Sequence, residues 1–232
     1  MIEITWLGHS SFQFKLASGE VYMLDPWTEG NPKYPAGHVI SRADYILVSH
    51  GHFDHIASTV DLAKKHGSKV VSNYEICMWL QSKGVEAILP MNKGGAQQLG
   101  PLKATMTHAM HSSGIQDGNS MIYGGEAAGW ILEFAGGRCA YFAGDTDVFG
   151  DMKLIGELYK PELAILPIGD LFTMGPRQAA LACRMIGAKK VIPMHWGTFP
   201  LLTGTPEELG ERIKDLPGTQ VWTLEPGRAV SW

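Results

Sequence analysis

The chain predicts an α/β protein of two mixed sheets with helices outside them, and two observations carry that expectation. Each half opens with short strand-like runs and then alternates strand with helix. Histidines and aspartates also gather where apolar strands run out into loops, as they do at the sites of open α/β sheets. At 232 residues, 45% hydrophobic and 18% charged, the chain can bury a full core without disulfides. No low-complexity tract or linker interrupts it, so a single domain over 1–232 is expected.

The first three runs, 2–7, 11–16 and 21–24, are split by Gly8-His9 and Ser18-Gly19 and read as a strand meander. Residues 44–49 form an apolar strand, 56–66 have helical spacing stopped by Gly67, 69–72 are a strand, and 74–83 a helix closed by Gly84. Strand-like pieces fill 85–134. Alternation then resumes, with strands at 138–143, 163–168, 190–194 and 220–224 and helices at 149–159, 176–186 and 205–215. Thr205 and Pro206 have the chemistry of an N-cap and a first helical residue.

The charge balance, 19 Lys+Arg against 23 Asp+Glu, argues against nucleic-acid or membrane partners and for a small-molecule substrate; a homo-oligomer stays open. Cys77, Cys139 and Cys183 are widely spaced in apolar segments, which suits a reducing compartment. With no leader-like start and no long apolar run, the expected location is the cytoplasm.

The chemistry concentrates at His50-Gly51-His52-Phe53-Asp54-His55, directly after a strand. Four ionisable groups this close need a cation or other partners. Three further strands end near His108 and His111, at Asp145 and at His195. Five histidines (50, 52, 55, 111, 195) with Asp54 and Asp145 make seven donors, too many for one open tetrahedral ion and right for two. We therefore expect His50, His52 and His111 on one metal, Asp54, His55 and His195 on the other, and Asp145 bridging. Two divalent ions with a bridging hydroxide leave the cluster positive, suited to a small anionic or polarised substrate. Zinc is the expected metal, with manganese and iron as alternatives. His108 is expected to support the site, and His38 and His66 to be structural.

In this order the residues resemble the metallo-β-lactamase superfamily, marked by His-x-His-x-Asp-His and a later His, Asp and His. The resemblance implies a four-layer αββα sandwich. The runs TWLGHSSF near the start, LDPW at 24–27 and LPIGDLFTMGP at 166–176 further resemble the small hydrolase branch that includes ascorbate-6-phosphate lactonase-like proteins. That likeness brings His9 toward the metals as a substrate-binding or proton-shuttling residue. Asp54 is both a ligand and a residue able to orient the nucleophile. Asp25 would orient a ligand histidine or else merely form a turn. Asp170 and Met174 sit where a substrate wall is expected.

The activity these features imply is hydrolysis of an ester, lactone or phosphodiester. An iron-dependent sulfur dioxygenase-like oxidoreductase and a non-catalytic metal-stabilised binding module are the alternatives.

Overall fold

The computed structural model describes all 232 residues, Met1–Trp232. In chain order the elements are β1 Ile2–Trp6, β2 Phe12–Leu16, β3 Val21–Leu24, β4 Tyr45–Leu47, α1 Phe53–Ile56, α2 Thr59–His66, β5 Lys69–Asn73, α3 Tyr74–Ser82 and β6 Ile88–Met91. There follow β7 Ala96–Leu99, β8 Leu102–His108, β9 Gly114–Asp117, β10 Ser120–Tyr123, β11 Ala128–Phe134 and β12 Cys139–Phe142. The last are α4 Met152–Tyr159, β13 Leu163–Pro167, α5 Pro176–Ile186, β14 Lys190–Met194, α6 Pro206–Ile213, β15 Gln220–Val221 and β16 Ala229–Ser231. The chain divides into two compact units, each with its own sheet, helices and core.

The first unit comprises Met1–Asn92, Ser112–Glu126 and Leu224–Trp232. Its sheet runs β16-β1-β2-β3-β4-β5-β6, antiparallel from β16 to β3 and parallel from β3 to β6. The alternating pattern of β2 and the wholly buried β3 reflect that change of role, since a strand entering parallel pairing is covered on both faces. Leu7, Met23, Ile46, Val48, Val70 and Ile76 fill the core beneath.

The second unit comprises Lys93–His111 and Ala127–Thr223. Its sheet, β15-β14-β13-β12-β11-β8-β7, again joins an antiparallel part to a parallel one, here between β12 and β15. Tyr141, Leu166, Ala179, Cys183 and Val191 pack in its core. Two mixed sheets with helices are the class expected from the sequence. All three cysteines are buried and free, and no helix is long and apolar enough to cross a membrane.

Three local departures have physical causes. The helix expected at 56–66 begins only at Thr59, as α2, separated from the short turn α1 by a break at Ala57-Ser58. The Ser58 N–H donates to the Pro26 carbonyl, 3.1 Å, and its hydroxyl accepts from the Thr28 N–H, 2.8 Å, pulling the backbone out of helical register. Of the strand expected at 220–224 only Gln220–Val221 pairs. The chain then crosses to the first unit, where β16 pairs with β1; three residues are too short to show as a strand by pattern.

Thr205 does cap α6, its hydroxyl accepting from the Glu208 N–H at 3.2 Å, with Pro206 the first helical residue. Replacing Thr205 by Ala should lower unfolding stability by about 1 kcal/mol. Urea denaturation followed by circular dichroism measures that loss, with an unchanged midpoint as the contrary result.

Candidate metal centre

In the first unit the donors follow β4, at the carboxyl end of the parallel part of the sheet. The motif closes into the single turn α1, with the His52 carbonyl accepting from the N–H groups of His55 and Ile56. That turn brings His55 and Asp54 back toward the strand end. Gly51 is required there, because a Cβ would lie 2.6 Å from the Ile115 side chain.

The ring orientations trace to one carboxylate. Asp25 is fully buried and accepts from His55 Nδ1 at 2.7 Å, from the Ser49 N–H at 2.7 Å and from the Ser49 hydroxyl at 2.5 Å. With its proton given to Asp25, the Ser49 oxygen is an acceptor, and His50 Nδ1 lies 3.0 Å from it. Both His50 and His55 thus carry their proton on Nδ1 and turn Nε2 away from Asp25, the tautomer metal ligation needs. Burial pushes the Asp25 carboxyl above the usual carboxylate range, while His55 and Ser49 act in the opposite direction.

Around these outward nitrogens the remaining donors assemble. His50 Nε2 is 3.0 Å from His52 Nδ1, and His55 Nε2 is 3.9 Å from Asp54 Oδ2. His9, fully buried, places Nε2 2.9 Å from the same Asp54 oxygen and meets Trp27 edge-on at 5.3 Å. The donor atoms of His9, Asp54 and His55 lie within 4.8 Å of one another, as do those of Asp25, His50 and His55. Imidazoles and a carboxylate clustered in this way fit a divalent ion of the zinc, manganese or iron kind.

The second unit contributes its own set. His195 Nε2 is 3.0 Å and His111 Nε2 3.8 Å from Asp145 Oδ2, so one carboxylate stands near both imidazoles. Thr146 ties the donor loops together: its hydroxyl accepts from the Met110 N–H at 2.9 Å and its carbonyl from the Met174 N–H at 3.0 Å. His195 has a left-handed backbone, φ 55°, and its carbonyl leaves no room beside Gly169, where a Cβ would come within 2.0 Å. His9, Asp25 and Asp170 share this left-handed conformation, which costs about 1–3 kcal/mol each and concentrates at functional sites.

Other expectations meet the structure unevenly. Met174 is fully buried in the second unit's core and packs there, so it presents no surface to a substrate; the exposed apolar side chains of its loop are Leu171 and Phe172. Asp170 is exposed and accepts from the Leu171 N–H at 2.8 Å. His108 is exposed beside Lys93 and Phe149, outside the donor clusters, as are His38 and His66. Sequence reasoning missed Ser49, whose hydroxyl joins Asp25 to His50; its place directly before the first candidate donor was the available signal.

A family model described as beta-lactamase superfamily domain matches residues 21–196, a span that includes all seven expected donors. The chain belongs to that superfamily. A UPF0173 metal-dependent hydrolase of Solibacter usitatus is 59% identical over 231 residues, covering 100% of both chains, and one of Koribacter versatilis is 51% identical over 231 residues, covering 99% of this chain and 98% of the other. Among solved structures, Igni18, a metallo hydrolase of the archaeon Ignicoccus hospitalis, superposes with a TM-score of 0.87 at 32% identity, covering 100% of this chain and 98% of that one. The protein is thus one of the metal-dependent hydrolases of the metallo-β-lactamase superfamily, with the fold of that family.

Removing the Asp25 charge tests the orienting network. In Asp25→Asn, His50 and His55 lose their common anchor, and metal affinity should fall about 10- to 100-fold. Competition with a chromophoric chelator reads this directly; unchanged affinity would show that the rings are held by other contacts.

Proposed function

We propose that this hydrolase is binuclear, with His50, His52 and His111 on one metal, Asp54, His55 and His195 on the other, and Asp145 shared. The observation that carries the reading is the orientation of the rings. Within the first unit a single buried carboxylate, directly and through Ser49, turns the Nε2 atoms of two imidazoles toward the other donors, an arrangement suited to ligation. Two divalent ions held there would supply a water acidic enough to attack near neutral pH and a Lewis acid for the substrate's electrophilic oxygen.

The chain's own residues do the rest. His9 donates from Nε2 to Asp54 Oδ2, fixing the carboxylate, and is the residue proposed to bind substrate or shuttle a proton. Trp27, buried against the His9 ring, keeps that imidazole from turning. Asp170, exposed in the loop after β13, would form a polar part of the substrate wall, its N–H tied to the Met174 carbonyl at 3.0 Å. The substrate class is an ester, lactone or phosphodiester of a small anionic molecule, the ascorbate-6-phosphate lactonase-like branch being one expression of that chemistry. Zinc is the metal proposed, and the cytoplasm the compartment.

The test joins elemental analysis of protein purified without added metal to a panel of chromogenic esters, lactones and phosphodiesters. Two metal equivalents with turnover on the panel are expected. His52→Ala should lose at least one equivalent and reduce turnover about a hundredfold or more, in line with the loss of a metal ligand. Full metal content in that variant overturns the ligand assignment. Iron with oxygen uptake would replace hydrolysis by dioxygenase chemistry, and bound metal without turnover would leave a binding module.

A further inference from the structure

The hairpin β9–β10 is built onto the donor loop of the first unit. At one foot, the Ser112 hydroxyl lies 3.3 Å from His52 Nε2 and the Ser113 hydroxyl accepts from the Gly51 N–H at 3.0 Å. At the other, the Gly124 N–H donates to the Ser113 carbonyl, and the Gly124 carbonyl accepts from Asn73, the last residue of β5, at 2.8 Å. The far end is also pinned. Asp117 accepts from Trp79 Nε1 at 3.1 Å, on α3, and from Lys83 Nζ at 2.7 Å, the residue that closes α3. A two-stranded ribbon is marginal by itself, and here three clamps hold it against the unit.

Its two faces differ. Ile115 is buried in the first unit's core, against Gly51. The pairings Gly114 with Tyr123 and Gln116 with Met121 place these four residues on the opposite face. There Met121 is 70% and Tyr123 71% exposed. Gly114 is bare, and a Cβ on it would sit 2.6 Å from the Met121 sulfur, so Met121 lies across Gly114 toward the foot that touches His52. The donor loop adds Phe53, 52% exposed between His52 and Asp54 and supported edge-on by buried Trp27 at 5.6 Å. Exposed Tyr74 follows β5, the neighbour of β4 in the sheet. The second unit repeats the pattern on its own donor loops, with exposed Met110 beside His111 and exposed Phe172 after β13.

Large apolar side chains left in water beside polar donors, on backbone clamped in place, mark a binding surface. We propose that this rim, Phe53 with Met121 and Tyr123, takes an apolar arm of the substrate, an alkyl or aryl group attached next to the scissile bond. The inference rests on the hydrolase reading above and narrows its substrate to an amphiphile, with the electrophilic or anionic head at the donors and the hydrocarbon on the rim. Continuity with the donor loop favours this occupant over a second copy of the chain. Met121 adds an adaptable thioether surface, which accepts chains of varying shape.

Methyl-, butyl- and hexylphosphonate, titrated calorimetrically into the metal-loaded protein, provide the test, with p-nitrophenyl acetate, butyrate and hexanoate as a parallel rate series. Affinity should rise about twofold or more per added methylene, against about fourfold for full burial of each. In Met121→Ser combined with Tyr123→Ser that gradient should flatten to under about half, with metal content retained. Phe53→Ala, made separately, should flatten it as well. Phosphonates that bind with no dependence on chain length overturn the apolar arm and leave the hydrolase standing. Protein that binds no phosphonate and turns over no ester removes the hydrolase reading, and this inference with it. A hairpin variant that changes the sedimentation coefficient but keeps the gradient assigns the rim to a second copy instead.

Discussion

The donor cluster of the first unit is organised around one buried carboxylate. Asp25 has no exposed surface, and a charge so placed is costly unless its oxygens are filled. Ser49 and His55 fill them with three hydrogen bonds. The same bonds set the tautomer and direction of two candidate ligands, so the network that makes the burial tolerable also prepares the site. Removing one member would leave the others buried and mispaired, which makes the arrangement resistant to piecemeal change. That the Asp25 backbone is held at φ 44°, a conformation few non-glycine residues adopt, shows that the surrounding strands over-determine its position.

Each unit solves the placement of its donors by the same means. A strand ends, the backbone turns sharply, and a glycine allows another segment to approach without clash. Gly51 does this against Ile115 in the first unit, and Gly169 against the His195 carbonyl in the second. His9 and His195 both stand in the left-handed region at such turns. Donors on turns fixed by adjacent backbone are held more firmly than donors on open loops, because few torsions remain free to move them.

How much of this could be read from the sequence follows from how local each signal is. The donors between His50 and His55 stand out because four ionisable residues in six positions have no ordinary packing explanation, and His111, Asp145 and His195 gain meaning from them. Most strands and helices follow from short-range periodicity, including the Thr205 cap. The readings that faltered needed a distant partner. The helix break at Ser58 comes from Pro26 and Thr28, β16 exists because β1 accepts it, and Met174 is buried by a core that its own loop sequence does not announce. Asp25 was evenly balanced between a turn residue and an orienting one for the same reason, since Ser49 and His55 lie 24 and 30 residues away.

The hairpin β9–β10 illustrates the converse, a feature whose sequence is plain but whose meaning is spatial. Ser-Met-Ile-Tyr alternates too weakly to show which face is inward, and only pairing with β9 separates Ile115, in the core, from Met121 and Tyr123, in water. A chain that needed the hairpin only for stability would gain from polar side chains on that outer face. Keeping apolar ones there, on a ribbon whose feet bond the donor loop, costs solubility without improving the core. An apolar partner for that face would account for them, and the bonds from Ser113 to Gly51 and from Ser112 to His52 put the hairpin's foot beside the candidate donors.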